Sequence, residues 1–238
     1  PTTSGVFQPG YGGGSQDGFI IKLDRLLTTT LWSSYLGGSS ADAIYSISLN
    51  EFNVPSVAGG TSSTNFPTTS TALMPTYQGG VSDGFISLIQ SDGSSILRST
   101  YWGTSAYDQV YFVETDKQNN FYVFGQSSST GSVLIQNAAW HTIGGGQFIS
   151  KINKMLNSVV WSTRFGTGNG VVNISPTAFL VDYCHNIYLS GWGSPYLNGF
   201  GGTAGLPITA NAFQTTTDNN DYYFLCMRDD ASGIVFGS

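Results

Sequence analysis

Few residues in this chain are equipped for chemistry, and the acids are the place to begin. Asp17 stands in "SQDGF", Asp83 in "VSDGF", and Asp218 and Asp221 in "TTTDNND" (215–221). Each of Asp17, Asp83 and Asp221 falls one or two residues before a strand-like run, where a loop carboxylate is a candidate ligand for Ca²⁺. That ion takes about 6–8 oxygens, often from closely spaced acids. One acid per loop is well short of that number, and the alternative role is a turn residue bonding nearby backbone. His141 and His185 are the only histidines. With no His-Glu-x-x-His, Cys-x-x-Cys or His-x-His spacing, zinc finds no ligand set.

The two cysteines, Cys184 and Cys226, do not make a disulfide framework. If Cys226 is the third residue of the last repeat's third strand, and that strand starts beside Ser190 and Gly191, Cys184 lies roughly 15–20 Å from Cys226 at about 3.3 Å per residue. That is beyond disulfide reach, so two free thiols are expected. No Gly-x-Ser-x-Gly elbow accompanies the available Ser, His and Asp residues. Carboxylate pairs for glycoside cleavage must stand about 5–10 Å apart, but these aspartates recur repeat by repeat, which reads as architecture. The glycine runs lead into strands rather than helices and form no phosphate cradle. Among the aromatics, Trp192, Tyr196 and Phe200 are candidates for a ligand surface, whereas Trp102 takes the place of Leu36 in a repeat and reads as core. Tyr196 and Phe200 sit in the one non-repeating insertion, "GSPYLNGFGGTAG" (193–205), and loops added to a scaffold are where function concentrates.

The elements that must position these residues follow from a repeat. Residues 1–39 align with 67–105 at a constant offset of 66 with 17 of 39 positions identical, among them Pro1/Pro67, Tyr11/Tyr77, Asp17/Asp83, Phe19/Phe85 and Gly37/Gly103. A third copy matches around Phe148 at offset 63, and a fourth around Phe224 at offset 76. Each full repeat holds four strand-like runs rich in β-branched and aromatic residues: 43–49, 54–60, 84–90 and 96–103 in the second copy. "SDGS", "DKQNN" and "DYCHN" supply the turns. Four short strands repeated every 63–76 residues predict an all-β fold, a β-propeller of four-stranded antiparallel blades. A parallel β-helix is the runner-up, but its coils are shorter than these repeats. The expected layout is a half blade at 1–40, a blade at 41–105, a blade at 106–169 and a blade at 170–238 with its last strand cut short. That is about three and a half blades of an incomplete ring, so the rest is expected from a longer protein, or from a second copy.

Composition narrows the function classes. Thirty-one glycines, 14% aromatics and only 9% charged residues suit turns and strands rather than helices. A net charge of −6 with eight Lys plus Arg matches neither nucleic acid nor an anionic membrane. No run approaches the about 18 apolar residues of a membrane span.

The motifs "PTTSGVFQPGYGGGSQDGFIIKLD", "LWSSYLGG", "YQGGVSDGFISLI" and "RSTYWGTS" resemble the bacterial β-propeller repeat called SBBP. The likeness is closest in copies one and two and weakens in copy three, where Gly146 replaces the Asp. The later segments look like the propeller region of large secreted Bacteroidota proteins, which continue into gliding-motility-associated, type IX secretion C-terminal domains. The resemblance implies an extracellular or outer-surface location and, through regions outside this chain, contact with type IX secretion components. The expected function is a non-enzymatic structural or adhesive module for a protein or glycan, with no cofactor beyond the Ca²⁺ candidates above. The alternatives are a propeller-built lyase or hydrolase, which convergence of acids or histidines at one ring end would favour, and a passenger or spacer in secretion.

Overall fold

The computed structural model describes residues 1–196 and 199–238. These residues form fourteen strands in four antiparallel sheets and no helix. Sheet 1 is a hairpin of β1 (Gly18–Leu23) and β2 (Thr30–Leu36). Sheet 2 holds β3 (Asp42–Leu49), β4 (Pro55–Thr61), β5 (Asp83–Ile89) and β6 (Ile96–Trp102). Sheet 3 holds β7 (Asp108–Thr115), β8 (Phe121–Ser127), β9 (Gln147–Ile152) and β10 (Val159–Phe165). Sheet 4 holds β11 (Ser175–Val181), β12 (Ile187–Trp192), β13 (Tyr222–Met227) and β14 (Ile234–Gly237). In every sheet the strands lie in chain order. The strands of sheet 2 fall within one residue of the runs read from the sequence.

Burial explains why the runs are apolar without strict alternation. Every residue of β4, β8 and β9 is buried, so both faces of these middle strands are covered. The covering is one sheet on the next: β3 lies against β1, β7 against β3, β4 and β5, and β11 against β7 and β8. Each seam between consecutive sheets has its own apolar cluster. Val6, Trp32, Phe66 and Phe85 fill the first, Trp102, Val110, Phe121 and Phe148 the second, and Phe124, Phe165, Leu189 and Tyr223 the third.

Two local devices recur. The outer hairpin of each sheet turns through a left-handed residue, namely Leu27 (φ 58°), Gly93 (75°), Leu156 (51°) and Ala231 (50°). Each donates its N–H three residues back, to Asp24, Gln90, Asn153 and Arg228, and the strand register slips beside each turn, as in a type I turn followed by a bulge. The first strands of the three full sheets carry a bulge at Tyr45, Tyr111 and Thr177. A bulge re-aims the extra side chain, and the Tyr45 and Tyr111 rings stack with centroids 5.1 Å apart.

The third copy departs from the others at Arg164, which takes the place of Tyr101. It is fully buried, and its guanidinium donates to the carbonyls of Gly145, Gly131, Ser127 and Ser129. Burial lowers its pKa to about 10, which leaves it charged at neutral pH.

The register corrects one expectation. Cys226 is the fifth residue of β13, not the third, and pairs with Tyr188, so it lies nearer Cys184 than the sequence spacing implied. Both thiols are free, Cys184 exposed and Cys226 buried.

Candidate functional site

The insertion builds a groove of about 680 Å³, lined by Tyr107, Gln126, Ser128, Gly170–Val172, Pro195, Tyr196, Gly199 and Phe200. Its floor comes from the start of sheet 3 and its rim from the insertion. The insertion is bolted down on both sides. Gly201 N–H donates to Val172 O at 2.8 Å, Asn173 Nδ2 to Gly202 O at 3.0 Å, and Ala204 N–H to Asn219 Oδ1 at 2.7 Å. Ser194 also bonds Asn220. Tyr196 is thereby presented to solvent, 86% exposed. On the floor, the Tyr107 hydroxyl lies 3.1 Å from that of Tyr111, and Gln126 is aligned by donating to Ile174 O at 2.7 Å. The stacked pair of Tyr111 and Tyr45 continues this aromatic line onto sheet 2. Of the three ligand-surface candidates, Tyr196 and Phe200 meet in the groove. Trp192 pairs with Ser175 and Tyr222 inside sheet 4 and does not line it. Leu197 and Asn198 of the insertion lie outside the described residues. Nothing in the sequence pattern marks Tyr107 as a partner, since it precedes an ordinary strand. The groove offers aromatic faces, the Gln126 amide and the hydroxyls of Tyr107, Ser128 and Tyr196, and among the described residues no carboxylate, imidazole or amine lines it. That set can hold a ligand.

The aspartates divide differently from the reading by loop. Asp17 sits beside Asp42, and Asp83 beside Asp108. Asp17 Oδ1 and Asp42 Oδ2 both lie within 2.8 Å of the point where a Cβ on Gly37 would stand, and Asp83 Oδ1 lies 2.3 Å from that point on Gly103. This close approach is why glycine ends β2 and β6. One oxygen of each acid is engaged: Gly12 N–H donates to Asp17 and Gln78 N–H to Asp83, both at 2.5 Å, Gly38 N–H to Asp42 and Thr104 N–H to Asp108, both at 2.7 Å. The other oxygen, Oδ1, is buried without a partner in all four. One free oxygen per acid, two per pair, does not approach a calcium shell. Burial instead raises Asp83 to about 7 and pushes Asp42 and Asp108 upward. The partners Asp42 and Asp108 were legible as a second pair at offset 66. Asp218 and Asp221 join neither pair: Asp218 accepts from Asn220 N–H, and Asp221 uses its carbonyl to accept from Gly193. Among the described residues no three acids, histidines or cysteines gather as metal ligands.

His141 is exposed, with Nδ1 3.1 Å from Ala138 O. His185 is different. It enters a polar cluster across the seam of sheets 3 and 4, where Lys151 Nζ lies 3.0 Å from both Asp229 oxygens and 3.8 Å from Asp116. Tyr122 donates to Asp229 at 2.5 Å, and its hydroxyl is 3.2 Å from His185 Nδ1. Burial, then Asp229, pushes the Tyr122 hydroxyl far above its usual pKa, so it stays protonated. At the equivalent places in the preceding seam stand Leu88, Ser56, Asn50 and Asn119, so the cluster is a departure from the repeat. A groove of about 410 Å³ opens beside it, where Lys117 Nζ stands 4.5 Å over the Tyr183 ring. The place of His185 in this cluster leaves no mark in the sequence, because the other cluster residues come from turns and strands 34 to 69 residues away. No helix among the described residues is long and apolar enough to cross a membrane. Set against known proteins, the chain matches no family model and no curated protein.

Proposed function

We propose that this chain is a β-propeller segment with no chemistry of its own, a secreted or outer-surface module that holds a glycan in the groove of Tyr107, Tyr196 and Phe200. The propeller reading is supported by four antiparallel sheets in chain order, by the contact of the first strands β3, β7 and β11, and by the separate apolar cluster at each seam. The outer-surface placement, and the link to type IX secretion, rest on the SBBP-like motifs. The observation that carries the ligand class is the lining of the groove. Aromatic faces with a fixed amide and several hydroxyls, and no charged group among the described residues, complement the apolar faces and hydroxyls of a neutral sugar.

A titration with neutral oligosaccharides, read by calorimetry, tests this. Tyr196→Ala and Phe200→Ala are each expected to weaken binding about tenfold, or about 1.4 kcal/mol. Full affinity in both variants, or a protein ligand where no glycan binds, would overturn the assignment. One observation favours a second reading as a propeller-built carbohydrate-active enzyme: His185, Lys151, Tyr122, Asp116 and Asp229 converge beside a groove. Release of new reducing ends from a polysaccharide, lost in His185→Ala, would establish it.

A further inference from the structure

The groove of Tyr107, Tyr196 and Phe200 has hydrogens and a wall that a plain hexose leaves unused. The hydrogen bonds of its polar floor run in one direction. Gln126 is buried, and its Nε2 donates to Ile174 O at 2.7 Å. That fixes the amide so that Oε1 faces the Tyr107 hydroxyl, 3.4 Å away. An amide oxygen only accepts. Tyr107 therefore gives its single hydrogen to Gln126, and Tyr111, whose hydroxyl is 3.1 Å from that of Tyr107, donates to Tyr107. Two side-chain hydrogens of this floor have no acceptor among the described residues. One is the second amide hydrogen of Gln126. The other is the hydroxyl hydrogen of Ser128, whose oxygen accepts from Tyr107 N–H at 3.1 Å.

The wall comes from the segment that leads into sheet 4. A Cβ on Gly170 would collide with the Ser128 carbonyl, so this segment lies directly against Ser128. Val171 and Val172 follow, and with Pro195 they give the groove an aliphatic side distinct from its rings. Val171 is held there by the insertion, since a Cβ on Gly201 would meet its Cγ1. The two unused hydrogens and the aliphatic side therefore belong to one end of the groove.

We infer that the unit held here is a 2-acetamido sugar, an N-acetylhexosamine, with its acetamido carbonyl on Ser128 and Gln126 and its acetyl methyl on Val171, Val172 and Pro195. The inference rests on the glycan reading of this groove and narrows it. A sugar hydroxyl brought to this floor has a hydrogen of its own to place as well as one to accept. An amide carbonyl brings two lone pairs and no hydrogen, which matches two donors without acceptors. The rings of Tyr196 and Phe200 meet the apolar face of any hexose, but an aliphatic wall beside a donor pair has no counterpart on glucose or galactose. It matches a methyl bonded to a carbonyl. Gln126 and Tyr107 are already oriented by Ile174 and Tyr111, so the acetylated sugar binds without reordering them.

The test uses matched pairs that differ only at this group: the methyl glycosides of N-acetylglucosamine and glucose, and of N-acetylgalactosamine and galactose, titrated into the chain and followed by NMR. At least one acetylated member is expected to bind at least about tenfold tighter than its partner, and its acetyl methyl to take the largest share of saturation transferred from the protein. Ser128→Ala is expected to lower affinity for the acetylated sugar about tenfold and leave the plain hexose unchanged. Tyr196→Ala is expected to weaken both members alike. Equal affinity within both pairs, an acetyl methyl that receives no more saturation than the ring protons, or a Ser128→Ala variant that keeps the parent's preference would overturn the inference and leave the glycan reading standing. Binding of none of the four sugars would overturn both.

Discussion

Stability should fall as the solution is made less acidic, and Asp83 supplies most of the reason. Its carboxyl is fully buried and burial raises it from 3.8 to about 7. Below pH 3.8 the folded and unfolded chains both hold the proton and nothing is lost. As pH rises the unfolded chain releases it first, so each further unit favours unfolding until the folded carboxyl also ionises near pH 7. A shift of this size corresponds to about 4 kcal/mol across the whole window, of which about 3 kcal/mol falls between pH 5 and pH 8. Asp42 and Asp108 are raised and act in the same direction. Asp24, Asp92, Asp182 and Asp230 are lowered by hydrogen bonds, so their contribution is present above the usual carboxylate range and lost in acid, and it is essentially constant above pH 5. Urea unfolding at pH 5 and pH 8, compared between the parent and Asp83→Asn so that the other titrating groups cancel, therefore isolates this acid. Asp83→Asn keeps an oxygen for the Gln78 N–H and offers an amide N–H to the unpartnered oxygen of Asp108. It should remove most of the loss, leaving the variant about 3 kcal/mol more stable than the parent at pH 8. The molecule has made a related substitution itself: Asn173 accepts from Thr167 N–H where Asp108 accepts from Thr104, and Gly146 replaces its acidic neighbour. Equal stability of the parent at the two pH values, or an Asp83→Asn variant that declines as steeply as the parent, would refute the reasoning.

Other perturbations follow from the same contacts. Arg164→Lys should destabilise by about 3 kcal/mol in denaturant unfolding, because one ammonium cannot reach four carbonyls fixed around a planar fork; parent-like stability would deny the guanidinium its structural role. Lys151→Met should cost about 3–5 kcal/mol by leaving Asp116 and Asp229 without their cation, while Lys151→Met combined with Asp229→Leu should recover much of it. Gly103→Ala should cost about 1–3 kcal/mol, since its Cβ would stand 2.3 Å from Asp83 Oδ1. Leu27→Gly, read by thermal melting at high dilution, should stabilise the hairpin by about 1 kcal/mol because only glycine adopts φ 58° without strain.

How much of this was readable beforehand depended on whether the signal was periodic. The strands of sheet 2 came out within one residue because apolar runs and turn residues recur at a fixed offset, and the 17 shared positions of the first two copies carry both. The pairing of Asp17 with Asp42 was present in the offset but hidden by the 24 residues between them, which fold into a hairpin that returns the chain to its start. The cluster at His185 had no periodic trace at all. It exists because Lys151, Tyr122, Asp116 and His185 differ from their counterparts, and only the packing of sheet 4 on sheet 3 brings them together with Asp229. Cys226 was misplaced by two positions because the unequal loop of the last repeat, which carries the insertion, obscures where β13 begins.

Phe7 donates its N–H to Gly93 O, Leu73 to Leu156 O and Trp140 to Ala231 O, each from the long loop of one sheet to the outer turn of the next, and these bonds bear on the order in which the chain acquires its structure. Phe7, Leu73 and Trp140 each wait for an acceptor synthesised roughly eighty to ninety residues later, so no sheet can be sealed by local contacts alone. Loop closure over such distances is slow to form and leaves apolar side chains uncovered in the meantime. As the chain emerges, the growing end always presents one aromatic or aliphatic side chain searching for a turn that does not yet exist. Folding should therefore advance in steps, one seam at a time from the amino-terminal side. The vulnerable species at each step is a finished sheet with an empty neighbour, whose seam-facing apolar cluster stays uncovered until the next sheet closes over it.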